Sequence, residues 1–189
     1  MELDHRFRDL TVVIPTYNRP KYLERSLEYW ARSLIKVIVV DGSPYKYSGD
    51  IPFNVSYYHD SNANIGRRWA NGLQNVQTPF SVLCADDDFL CLSGIETCLD
   101  FLCSNSDYAS AQGVGVRFQV DNKMNLFVEI SNSLMVGHDI NGSTALERLN
   151  QLFIDYIEQT YSICRTPILQ LALDTCIDQT NPHYIEHST

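Results

Sequence analysis

The chain has 189 residues, 44% hydrophobic and 20% charged, which excludes a disordered or low-complexity protein and allows one sizeable domain with a core. Its 14 basic and 23 acidic side chains give a formal net charge of −9, which argues against a nucleic-acid surface, since that needs a basic stripe. No apolar run approaches the roughly 20 residues of a membrane-spanning helix, and the charged start MELDHRFRDL lacks the apolar stretch of a signal peptide.

In chain order, LTVVIPTYN (10–18) is an apolar, β-branched run halted at Pro15, the pattern of a strand buried on both faces. Pro20 suits the first turn of a helix, and Leu23, Leu27, Trp30 and Leu34 then recur at helical spacing. KVIVVDGSP (36–44) predicts a second buried strand that ends in an aspartate and a turn. NVSYYHD (54–60) predicts a third. NANIGRRWANGLQNV (62–76) places Ile65, Trp69, Leu73 and Val76 on one helical face, stopped by Thr78-Pro79. FSVLC (80–84) is the fourth strand. This order predicts an α/β fold with a mostly parallel central sheet flanked by helices. Ligands bind such sheets outside the carboxyl ends of the strands. Three of the strands run into polar signatures there: PTYNR, DGSP and ADDD.

Further on, a helix is predicted over 93–103, with Ile95, Leu99 and Leu102 inward. YASAQGVGVRFQVD and NLFVEI read as two strands joined by a turn near Asp121-Asn122-Lys123. A helix over 143–158 shows Leu146, Leu149, Phe153 and Tyr156 or Ile157 on one face. TYSICR (160–165) reads as a strand, and Pro167 opens a last helix to about 178. A soft boundary falls near 106, and the ending HYIEHST reads as that of a truncated chain. The six cysteines, at 84, 91, 98, 103, 164 and 176, form no CxxC pair and read as buried free thiols of a cytoplasmic protein.

SVLCADDDFLCL (81–92) carries the chemistry. Three adjacent carboxylates repel one another and each is costly to desolvate. A solvated loop is one reading, but the flanking apolar residues hold the loop against the core. The other is a divalent cation, Mn²⁺ or Mg²⁺, which takes one or two carboxylates plus substrate phosphates and water. On an extended chain Asp86 and Asp88 would project to one side and Asp87 to the other.

TVVIPTYNRPKYLERSL, VIVVDGSP and TPFSVLCADDDFL, in that order, resemble a family 2-type glycosyltransferase of the A-type fold, the Rossmann-like nucleotide-diphospho-sugar transferase fold. VQTPFSVLCADDDFL with FLCSNSDYASAQG most resembles a bacterial subgroup of sugar transferases. The likeness covers residues 10–120 well and 121–189 weakly. It implies one glycosyltransferase domain, with a nucleotide-sugar half at about 10–106 and the start of an acceptor half at 107–189. Pro15, Thr16, Tyr17 and Arg19 would line the nucleotide pocket, and Asp41 would bond the base. Asn64, Gly66 and Arg67 would lie near the base and diphosphate, although RRWANGL departs from the family's commoner Ala-Arg-Asn pattern. Asp86 and Asp88 would be the Asp-x-Asp pair, on ribose and metal; metal ligation by both and a nucleotide role for Asp87 stay open, because the triple aspartate leaves the register free by one residue.

The resemblance implies metal-dependent transfer from a nucleoside-diphosphate sugar, foremost a UDP-sugar, to an acceptor hydroxyl with inversion. A glycan or lipid-linked acceptor of the cell envelope would place the enzyme in the cytoplasm, at the inner membrane face. The general base would be Glu186, with Asp139 in GHDING as the alternative. His183 and His187 read as solvated, His59 as a strand-end polar residue, and Trp30 and Trp69 as core. Arg165 reads as a phosphate or acceptor contact or a surface ion pair. Tyr45 and Tyr47 read as flanking a base or covering the sheet. A non-catalytic nucleotide-sugar binder and a nucleotidyltransferase are the rival functions. The latter would need a Gly-rich loop that IPTYNRP lacks.

Overall fold

The computed structural model describes residues 5–120, 126–129, 139–154 and 159–177. They fall into two compact units, one running to Ala111 and resuming at Thr160, the other Gln112–Gln159.

The first unit holds β1 (Leu10–Thr16), α1 (Pro20–Trp30), β2 (Lys36–Asp41), β3 (Val55–His59), α2 (Ile65–Gln74), β4 (Phe80–Leu83), α3 (Leu92–Ser104) and β5 (Ser110–Ala111). Its sheet order is β3-β2-β1-β4-β8-β5, completed by β8 (Ile163–Arg165) from the resumed chain, which leads directly into α5 (Thr166–Ile177). β3, β2, β1 and β4 run parallel, whereas β8 is antiparallel to both β4 and β5. All of β1 is buried, as its apolar run requires.

Strand alternation divides the core in two. Val12, Ile14, Val37, Val39 and Val82 meet α1 and α3 through Leu23, Leu27, Trp30, Ile95, Leu99 and Leu102. Val13, Ile38, Val40 and Leu83 meet Leu73 and Val76, with Trp69, Leu169 and Leu173 partly buried against them. Trp30 is therefore core, and Trp69 lies half-buried beside the second cluster. α1 stops at Trp30, so Leu34 packs from the following turn rather than from the helix.

Arg165 makes no ion pair among the described residues, and its side chain is turned to backbone carbonyls instead. Its guanidinium donates to Tyr108 O at 2.8 Å, Leu102 O at 2.8 Å and Asn105 O at 3.0 Å, capping the carbonyl end of α3. The described cysteines are free thiols, but Cys91 and Cys103 are exposed rather than buried. Cys91 precedes α3 and Cys103 lies off its buried stripe of Ile95, Cys98, Leu99 and Leu102.

In the second unit β6 (Arg117–Val120) and β7 (Leu126–Glu129) form an antiparallel pair with Val120 opposite Leu126. The turn expected at 121–123 lies outside the described residues, as do residues 155–158 of the expected helix. α4 (Ala145–Ile154) opens on a capping box: Glu147 N donates to Thr144 Oγ1 at 3.2 Å and Thr144 N to Glu147 Oε2 at 3.0 Å.

The strand order fixes where a ligand can sit. The chain moves from β1 outward to β2 and β3, then returns to the other side of β1 as β4. The switch point lies between the C-terminal ends of β1 and β4. α2 reaches this sheet closely because of Gly72, where a Cβ would stand 2.4 Å from Val13 Cγ1 and 3.2 Å from Val40 Cγ2. Gly72→Ala should therefore cost about 1–3 kcal/mol by overpacking, read as a lower urea midpoint with an unchanged m-value.

Candidate active site

The β1 and β2 ends are sewn together. Thr16 O accepts from Gly42 N at 3.0 Å and from Arg68 Nη1 at 3.2 Å. Asn18 takes φ 54°, a left-handed value asparagine tolerates, and its N–H donates to Ser43 Oγ at 2.8 Å. Asp41 is 2% exposed. Its Oδ1 accepts from Ser43 N at 2.8 Å and Ser43 Oγ at 2.5 Å, and its Oδ2 from Tyr57 OH at 2.5 Å. Burial, and then this bond, push the Tyr57 phenol well up, so it remains a donor. His59 closes the rim, its Nε2 2.7 Å from Ser43 O.

Arg68 lies beneath these loops, 8% exposed, with its guanidinium 5.4 Å from the centre of the Tyr17 ring. Burial lowers its pKa, while Asp41, Tyr17 and Asp86 pull the other way. No carboxylate pairs with it directly among the described residues, and its Nε is buried without a partner. Gly42 makes room for it, since a Cβ there would stand 2.2 Å from Arg68 Nη1. From the sequence the pair Arg67-Arg68 could hold one phosphate group, but the site role went to Arg67, which is exposed. The available signal was Arg68 four residues before Gly72, on the helix face that approaches the sheet most closely.

The aspartates follow β4 on a turn, with Asp88 N donating to Ala85 O at 3.4 Å. The alternation expected of an extended chain does not apply, and each carboxylate has its own partners. Asp86, 2% exposed, accepts from Thr16 Oγ1 at 2.6 Å on Oδ2 and lies 3.0 Å from Arg19 Nη1 on Oδ1. Arg19 Nη2 reaches Asp87 Oδ2 at 2.5 Å. Tyr161, just before β8, donates to Asp88 Oδ2. Burial raises the Asp86 carboxyl, opposed by Thr16 and Arg19. Burial also raises the Tyr161 phenol, and the bond to Asp88 adds to it.

The other expected residues are dispersed. Pro15 is buried within β1, opposite Val40. Tyr17 is exposed at the site's mouth. Asn64 caps α2, its side chain accepting from Arg67 N at 2.9 Å, and Gly66 is buried in the first turn. Tyr45 projects into solvent, whereas Tyr47 packs on the core edge and bonds Tyr57 OH through its N–H at 2.9 Å. Asp139 is exposed in the second unit, where Asn141 Nδ2 donates to it at 2.9 Å. Glu186, His183 and His187 lie outside the described residues.

The aspartate loop leaves a divalent cation few oxygens of its own. Among the described residues no group of three His, Cys, Asp or Glu side chains forms a cage. Asp86 has a partner on each oxygen, while half-buried Asp87 and exposed Asp88 are each bonded on Oδ2, by Arg19 and Tyr161, and present Oδ1. One carboxylate with diphosphate oxygens and water is the usual environment of Mg²⁺ at a phosphate site.

Glycosyl transferase family 2 matches residues 11–153. No curated protein matches. Among solved structures, S. aureus TarS superposes with TM-score 0.55 at 20% identity over 85% of this chain and 29% of TarS. S. aureus TarS 1–349 in complex with UDP-GlcNAc superposes with TM-score 0.55 at 19% identity, over 86% of this chain and 47% of that one. The UDP complex gives TM-score 0.54 at 18% identity over 86% and 48%. The chain thus spans less than half of these relatives, which share its fold, the A-type nucleotide-sugar transferase fold expected from the sequence.

The Thr16–Asp86 bond sets a pH dependence. With its pKa raised, Asp86 favours the folded state below the ordinary carboxylate range and loses that contribution as pH rises through the raised value. The Thr16 hydroxyl offsets this loss by bonding the charged form. Thr16→Val should cost about 1–3 kcal/mol above that pKa and progressively less below it. Urea titrations from pH 4 to 8 would read the difference, and a pH-independent cost would rule the account out.

Proposed function

The chain belongs to glycosyl transferase family 2, and from that premise we propose that it moves a sugar from a nucleoside diphosphate, foremost UDP, to an acceptor hydroxyl. The observation that carries this reading is the meeting of three strand-end loops at the β1–β4 switch point, above a buried arginine with no carboxylate paired to it directly among the described residues.

Each part has a role in it. Asp41 accepts from Ser43 N, Ser43 Oγ and Tyr57 OH, which leaves one of a carboxylate's roughly four acceptor sites, on Oδ2, for an imino N–H of a pyrimidine base. Asp86 faces the ribose side of the crevice. Arg68 supplies positive potential to the diphosphate from a site of low dielectric. Asp88 holds the divalent cation, Mn²⁺ or Mg²⁺, which when bound neutralises the diphosphate leaving group. A carboxylate general base, Glu186 or Asp139, takes the acceptor proton, and attack from the opposite sugar face inverts the anomeric carbon. The acceptor is a glycan or lipid-linked saccharide met at the inner membrane face. No described helix is long and apolar enough to cross a membrane.

Calorimetric titration with UDP, GDP and CMP, each with and without Mn²⁺, tests this. UDP should bind best, Mn²⁺ should tighten it, and Asp88→Ala should weaken the Mn²⁺-dependent part roughly tenfold or more, about 1.4 kcal/mol. Binding without release of sugar from a donor panel would reassign the chain as a nucleotide-sugar binder. No binding of any nucleotide would overturn the reading.

A further inference from the structure

We propose that Arg19 is a positioning residue, a cation built into the chain that holds Asp86 and Asp87 together and leaves Asp88 as the one carboxylate of the loop that no cation among the described residues holds. This rests on reading the crevice as a nucleotide-sugar site and changes the part Arg19 plays in it. Arg19 acts on the aspartates rather than on the donor.

The geometry is that of a guanidinium fork. Nη1 lies 3.0 Å from Asp86 Oδ1 and Nη2 2.5 Å from Asp87 Oδ2, so one planar cation spans two adjacent carboxylates. The fork is held from behind. Arg19 is the N-cap residue of α1, its carbonyl accepting from Tyr22 N and Leu23 N at 3.0 Å each. Its guanidinium carbon sits 4.4 Å from the centre of the Tyr22 ring. Burial works against its charge, yet the bond to Asp87 and the fields of Asp86 and Asp87 raise its pKa overall. Departure of Arg19 would leave Asp86 buried with Thr16 as its remaining side-chain partner among the described residues. Closure on Arg19 thus spares Asp86 a buried charge without a cation.

The consequence concerns metal binding without nucleotide. Three carboxylates with their own cation carry a net charge of −2, with one oxygen of Asp87 already facing away from its arginine and one of Asp88 away from Tyr161, a poor site for a hard cation in water. Without the arginine they carry −3 and two carboxylates are freed.

The test is Mn²⁺ affinity of the intact chain without nucleotide, from the free-Mn²⁺ electron paramagnetic resonance signal. Arg19→Gln should bind Mn²⁺ at least tenfold more tightly than wild type, and adding Asp87→Asn should remove the gain. Arg19→Lys should fall between, since an ammonium cannot span both carboxylates at once. Metal-free UDP affinity should change less than threefold in Arg19→Gln. If that variant does not fold, Arg19→Lys against wild type carries the same comparison. Unchanged Mn²⁺ affinity in a folded Arg19 variant overturns the proposal, as does a tenfold loss of metal-free UDP binding, which would put Arg19 on the diphosphate. UDP binding by wild type, measured alongside, reports separately on the nucleotide reading.

Discussion

The crevice depends on one buried carboxylate. Asp86 ties the end of β4 to the end of β1 through Thr16 and to the start of α1 through Arg19. β1 and β4 are neighbours in the sheet, and their ladder runs as far as Cys84 N, which donates to Val13 O at 3.0 Å; past that point the side chain of Asp86 ties the two strand ends together. Stripping one partner from a fully buried pair costs about 3–5 kcal/mol, and less here, because the Arg19 side chain is 39% exposed. The carboxylate is also the reason an apolar strand can end in three aspartates. The charge that the sequence led us to assign to a metal is met first by the protein's own arginine, hydroxyl and phenol.

The sheet itself was legible because its physics is local. A parallel strand buried on both faces must be apolar at every position, and LTVVI and VIVV announce this without reference to a partner. The polar signatures after β1, β2 and β4 could be placed at one edge because parallel strands end on the same side. The pairing of β8 was not legible. Three residues, Ile163–Arg165, carry no period, and their place between β4 and β5 comes from Phe80 opposite Arg165 and Ser110 opposite Cys164. That return also brings Tyr161 to Asp88, 73 positions away.

Within the site, residue types were easier to read than orientations. Asp86 and Asp88 could be singled out, but a turn rather than an extended strand decides where they point. Arg67 and Arg68 are adjacent and chemically identical, and helix phase sends one to solvent and the other under the β1 loop. Asn64 reads as a ligand group in a motif and is also a helix cap, because an Asn before an apolar helical run is where a free N–H needs an acceptor.

The same logic shows why α1 does two things at once. Leu23, Leu27 and Trp30 face the core, while Tyr22, Arg25 and Tyr29, at the same three-and-four spacing, form the adjacent stripe. That stripe meets the aspartate loop along its length. Arg25 donates to Asp87 O at 3.0 Å, Tyr29 OH donates to Leu90 O at 2.7 Å, and Tyr29 packs edge-on against Phe89 with ring centres 4.9 Å apart. Tyr22 is faced by both Arg19 and Arg25. A loop of five residues is thus gripped at its charges, its carbonyls and its ring by one helix that is itself anchored by three core side chains. Loop position is inherited from core packing. A substitution at Leu27, which touches no part of the crevice, would then reach the aspartates through the rotation of α1, whereas one on the outer face of α3 would not.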